Sequence, residues 1–143
     1  MSSERNIESV RRLLAEAFSK GDYAVIEELV APDCIEHQNG AQGTGPEAVL
    51  RIATGLRASF PDLRLDIEEV VATEDTVWVR ARGYGTDTAG VARRPPSGRS
   101  IAVDVIDIAR FREGRIVEHW GVANRLGMLQ QVGAVPVAPQ PAT

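Results

Sequence analysis

An α+β fold is predicted for this chain because its hydrophobic period changes once and does not change back. As far as residue 60, apolar side chains recur at intervals of three and four; from residue 63 they recur at every second position. Glu113-Gly114 sits between two alternating runs, a strong short-range signal for a β-hairpin. Helices first and antiparallel strands afterwards is an α+β order rather than an alternating one.

The elements follow in turn. Residues 4–19 place Ile7, Val10, Leu13, Leu14, Ala17 and Phe18 on one stripe, which predicts a helix with one buried face. Gly21 ends it, and Asp22 caps a second helix carrying Val25, Ile26, Leu29 and Val30, which Pro32 closes. Cys34 to Asn39 is short and extended. Thr44 and Pro46 offer a cap and an early proline for a third helix, which runs to Phe60 and stops at Pro61. Leu63–Val71 and Val77–Arg82 alternate and meet at a Glu74-Asp75 turn. Residues 86–99 form a long loop bearing glycine and proline. The Glu113-Gly114 hairpin and a short amphipathic helix complete a single domain, 1–133. The tail, 134–143, holds three prolines and is expected to be disordered.

A two-residue hairpin loop puts Phe111 opposite Ile116, Asp107 opposite Trp120 and Val105 opposite Val122. Side chains alternate across a strand, so one face holds these residues with Val103 and Asn124. Asp107 is then an acid on an apolar face: either a group placed for proton transfer, or a structural acid paired with an arginine or a backbone amide. Asp104 has the opposite parity and is assigned to the rim or a subunit contact. In the same register His119 faces the other side, opposite Ile108. It is read as a sheet-face or dimer-interface residue, with catalysis the lesser alternative. That second face also carries Ile106, Ile108 and Val117, too apolar to leave to water, so a homodimer through the sheet is expected. His37 is either a proton carrier or a ring bonded to a loop carbonyl. Trp120 either stacks on a flat ligand or packs in the core, and Trp78 is assigned to the core. Phe18 and Phe60 end apolar helix faces, as core or as pocket lining.

Composition narrows the function. The chain has 143 residues, 43% hydrophobic and 25% charged, enough for one core and ordinary for a globular protein. A net charge of −4 argues against nucleic-acid or anionic-membrane partners. No apolar run approaches the roughly 18 residues a bilayer needs. The N-terminus lacks the order of a signal peptide, so a cytoplasmic location is expected. One cysteine, Cys34, leaves no internal disulfide and no cysteine-rich metal site. Two distant histidines and the lack of a Gly-x-Gly-x-x-Gly loop predict neither a metal nor a bound cofactor. Any oxidation would have to draw on an electron-rich substrate or a reduced partner.

Gly114-Arg-Ile-Val-Glu-His-Trp120, followed by Asn124-Arg-Leu-Gly-Met-Leu-Gln-Gln-Val-Gly133, resembles the C-terminal signature of the SnoaL-like polyketide cyclases. These belong to the nuclear transport factor 2-like superfamily of cone-shaped α+β barrels. Cys34-Ile-Glu-His-Gln-Asn-Gly40 resembles the family's histidine segment, and Arg94–Ile101 its proline-glycine approach to the long central strand. The resemblance covers roughly residues 4–133. It implies a curved antiparallel sheet wrapped around N-terminal helices, an apolar pocket between them, and cofactor-free chemistry on an aromatic, anthracycline-type polyketide. It also implies a departure, because the cyclases' acid/base is an aspartate where this chain has Asn124, and an amide cannot accept a proton. The expectation therefore leans to the family's ring hydroxylases. Asp107 and His37 would handle protons, Asn124 would bond a carbonyl or phenolic oxygen, Trp120 would position the ring, and Phe18, Val105 and Val122 would line the pocket. The alternatives are an intramolecular aldol cyclase using Asp107 as its base, and a non-catalytic ligand-binding or dimerisation domain.

Overall fold

A computed structural model describes residues 2–139 and 141. The Ser2 hydroxyl accepts the Arg5 amide and starts helix α1 (Ser3–Arg12), which continues as a π-helical segment, Leu13–Phe18. That segment buries Leu13, Leu14, Ala17 and Phe18. Just beyond it, the Ser19 hydroxyl donates to the Leu14 carbonyl and accepts the Leu65 amide, tying the helix end to the sheet. Helices α2 (Ala24–Leu29), α3 (Pro46–Ser59) and α4 (Arg125–Gln131) follow as expected, with small differences at their ends. Neither Asp22 nor Thr44 is the cap. Tyr23 and Gly45 hold those positions without a side-chain bond, and Val30 already belongs to a strand.

Six strands form one curved, open sheet: β1 (Val30–Glu36), β2 (Gly43–Thr44), β3 (Arg64–Ala72), β4 (Thr76–Thr86), β5 (Ser100–Arg112) and β6 (Arg115–Ala123). Their order is β2-β1-β6-β5-β4-β3, antiparallel except where β1 runs parallel to β6. The first two strands escape the alternation test, since β1 contains Pro32 and β2 has two residues. The inner face packs on the helices through a core that includes Phe18, Ile26, Val79 and Phe111. A second cluster, with Phe60, Leu63, Val91 and Ile101, fills one end. Val91 reaches it from the loop after β4, which is held by Asp87; that buried carboxylate accepts the Gly90 and Ser97 amides and the Ser97 hydroxyl. In the tail, residues 134–139 form no helix or strand, and residues 140, 142 and 143 lie outside the described residues.

The hairpin turn is as expected and the register beyond it is not. Glu113 and Gly114 both take positive φ, 52° and 80°, as a two-residue turn with matching strand twist requires. Arg112 faces Arg115 and Phe111 faces Ile116. Arg110 then faces Glu118, so Val117 is an extra residue, a β-bulge. From there Ala109 faces His119, Ile108 faces Trp120, Asp107 faces Gly121 and Ile106 faces Val122. The bulge keeps both Phe111 and Ile116 inside and lets Arg110 reach Glu118 at 2.7 Å. It turns His119 inward beside Asp107 and turns Trp120 and Val122 outward, reversing the expected faces.

Candidate active site

Between the helices and the inner sheet face lies a cavity of about 420 Å³. Phe18, Val105 and Asp107 border it from within. His37, Trp120, Val122 and Asn124 border it where β6 ends, so every residue singled out for the site reaches this space. Phe18 arrives from the π-helical segment, and Val105 and Asp107 share a face of β5.

Three neighbouring strands assemble the polar centre. Glu36 pairs with His119 across the parallel β1–β6 ladder, and Asp107 lies one step diagonally from His119 across β5–β6. His119 Nδ1 is 2.7 and 2.8 Å from the two oxygens of Glu36, and Nε2 is 2.8 Å from Asp107 Oδ1. The Glu36 side chain is fully buried and also accepts the Gln38 amide at 3.0 Å. Asp107 keeps 13% side-chain exposure at the cavity wall. Burial works against a charge on His119, but the bonds to Asp107 and Glu36, and their charges, outweigh it and raise the imidazole pKa to about 10. At neutral pH the ring is therefore a cation that donates to a carboxylate on each side. Cys34, beneath this centre, is inert because burial pushes its thiol up to about 12.

The other expected residues sit differently. His37 stacks on Trp120, with centroids 4.9 Å apart and planes 11° apart, and bonds Glu118 at 2.8 Å. The Arg110 guanidinium lies 5.4 Å from the Trp120 centroid. His37 is thus a rim residue outside the Asp107 chain. Asn124 caps α4: its Oδ1 accepts the Gly127 amide at 2.9 Å, so the side chain is engaged in starting the helix at the cavity border.

Sequence reasoning missed Glu36 entirely and turned His119 the wrong way. Two signals pointed to the bulge. Ile116-Val117 breaks the alternation, and displacing the ladder by one sets Arg110 against Glu118 instead of Val117. Glu36 carried no comparable signal, since its neighbour in space is 83 residues away in sequence.

Among the described residues, no group of His, Cys, Asp and Glu is disposed to hold a metal ion, and no helix is long and apolar enough to cross a membrane. A match to the family described as SnoaL-like polyketide cyclase spans residues 8–132. The aklanonic acid methyl ester cyclase DauD of Streptomyces sp. (strain C5) is 31% identical over 134 residues, covering 89% of this chain and 81% of the relative. The nogalonic acid methyl ester cyclase of Streptomyces nogalater is 27% identical, covering 84% and 92%. Among solved structures, IdmH of Streptomyces antibioticus, a candidate polyketide cyclase, superposes with a TM-score of 0.81 at 33% identity, covering 90% and 98%. AclR of Streptomyces galilaeus, a candidate hydroxylase, superposes with a TM-score of 0.85 at 24% identity, covering 97% and 87%; that likeness speaks for the fold alone. With the family matched over nearly the whole chain, and a curated cyclase relative 31% identical over most of it, the chain belongs to the SnoaL-like polyketide cyclase family of polyketide-modifying enzymes.

Proposed function

We propose that the chain closes a ring in an aromatic polyketide ester by intramolecular aldol chemistry, with Asp107 as the base. The observation that carries this is the Glu36–His119–Asp107 chain, which ends in a carboxylate at the wall of an apolar cavity. Asp107 takes a proton from a carbon flanked by carbonyls. The C–H electron pair moves to the carbonyl oxygen, and the enolate carbon then attacks a second carbonyl of the same molecule. The new alkoxide recovers the proton from Asp107, so no oxidant or reductant is consumed. The His119 cation, pinned by Glu36, orients Asp107 through the bond to its Oδ1. Phe18 and Val105 exclude water from the reacting carbons, while Trp120 and His37 offer a flat edge at the mouth for the polycycle.

Hydroxylation, towards which Asn124 leaned, has weaker support. An aspartate at 124 would be drawn to the same helix cap, so the amide says little about which group moves the proton. Mass spectrometry separates the two outcomes when the enzyme is given the methyl esters named for its relatives. Unchanged mass or loss of water marks aldol chemistry, and an added oxygen overturns it. Asp107→Asn, which keeps shape but loses the base, should lower turnover by a factor of roughly 100 or more.

We propose further that a second copy covers the outer sheet face, where Trp78, Ile106 and Val122 are 49%, 40% and 68% exposed. Sedimentation at micromolar concentration should show a dimer, and Ile106→Glu should return a monomer.

A further inference from the structure

Gln38 lies beside the centre just described and has no part in it so far. Its backbone is fixed on both sides: the amide donates to Glu36 Oε2, and the carbonyl accepts the Ala41 amide at 3.0 Å. Its half-buried side-chain amide borders the cavity and makes no hydrogen bond among the described residues. Gly121 is the reason it can lie there. A Cβ at 121 would run into Gln38 Oε1 and would sit 2.8 Å from Asp107 Oδ1. The backbone at 121 has no positive φ to demand glycine, so the space above its Cα accounts for the residue. Two side chains therefore meet at one point of the cavity wall: a carboxylate held by a cation, and an amide whose Oε1 lies over Gly121 and whose Nε2 makes no hydrogen bond among the described residues.

We infer that Gln38 is the hydrogen-bond donor for the oxygen that becomes negative when Asp107 removes the proton. This rests on the aldol proposal and specifies its substrate, a carbon acid whose activating carbonyl oxygen can reach Gln38 Nε2 while its acidic carbon faces Asp107. As the C–H bond breaks towards Asp107, its electron pair collects on that carbonyl oxygen, and Gln38 Nε2–H donates to it. A donor aimed at developing charge in a water-poor cavity lowers the barrier more than it tightens ground-state binding. The unpaired amide thereby finds its partner in the reacting molecule.

The test uses Gln38→Leu and Gln38→Glu in the full chain, with steady-state kinetics and with titration of a bound hydroxyanthraquinone whose phenolate is followed by absorbance. Gln38→Leu should lower kcat by roughly 10- to 100-fold with KM changed only a few-fold. It should also raise the phenol pKa of the bound probe by about one unit, since the phenolate loses its donor. Gln38→Glu should be worse than Gln38→Leu on both counts. Unchanged kcat and an unchanged probe titration in Gln38→Leu overturn the assignment. The failure of the aldol proposal looks different: Asp107→Asn stays active, or oxygen is added, while the probe still reports whether Gln38 donates.

Discussion

Strand β6 carries two histidine–carboxylate contacts on opposite faces. Inside, His119 is 8% exposed and lies between Glu36 and Asp107. Outside, Glu118 receives His37 and Arg110 in contact with solvent, and Trp120 packs beneath both. The bond lengths are alike, close to 2.8 Å, so geometry alone does not distinguish the two. Burial and the number of partners do. Water screens the outer pair, so it contributes little to stability. The inner imidazole cannot exchange its partners for water, and two carboxylates hold its proton far above the ordinary range. The proposed proton chemistry therefore rests on the buried contact, although the histidine first singled out in the sequence is the exposed one.

Removing one partner from each cluster should give the largest contrast. Glu36→Ala leaves the His119 cation and the Gln38 amide short of an acceptor inside the protein. It should lower unfolding free energy by about 3 kcal/mol or more, whereas Glu118→Ala should cost under about 1 kcal/mol. Urea unfolding of both variants measures the difference, and equal losses would dissolve the distinction. In turnover, His119→Gln should fall by roughly 100-fold with Asp107→Asn, while His37→Gln should stay within about threefold of the parent. A His37 variant as impaired as the His119 one would move the proton chemistry to the rim.

The pH dependence sharpens the same contrast. His119 binds its proton more tightly folded than unfolded, so its stabilising contribution is complete below its ordinary 6.5 and is lost as pH rises through about 10. Stability relative to His119→Gln should decline across that window. In NMR, His119 ring signals should keep the protonated shift at pH 8. A ring already neutral there would refute the bracketing. The smallest expected effect is of salt: raising it to 1 M should weaken the outer pair by tenths of a kcal/mol and leave the inner one unchanged.

The fold was legible where periodicity is long and uninterrupted, as along the stripe from Ile7 to Phe18 and the alternation from Val77 to Arg82. It was illegible where an element is too short or irregular for a period, as in β1 with Pro32 and in the two-residue β2. The candidate site followed the same rule. Asp107 could be placed on the inner face because an acid amid Val103, Val105 and Phe111 is conspicuous on one strand. Glu36 could not, because its place depends on a parallel pairing that no local pattern encodes. His119 was read as a sheet-face or dimer-interface residue and so misplaced, since reading outward from the Glu113-Gly114 turn carries one uncounted residue along the rest of the strand.

That uncounted residue, Val117, has an evolutionary consequence. A substitution changes one side chain, but loss of this single codon would turn over every side chain that follows it in β6. Trp120 would enter the cavity and His119 would go to solvent, with Glu36, Asp107 and His119 all still encoded. In this architecture, gaining or shedding activity is thus a matter of counting as much as of composition. A lineage could cross from catalyst to mere binder, or back, by an insertion or deletion that leaves its inventory of reactive residues untouched.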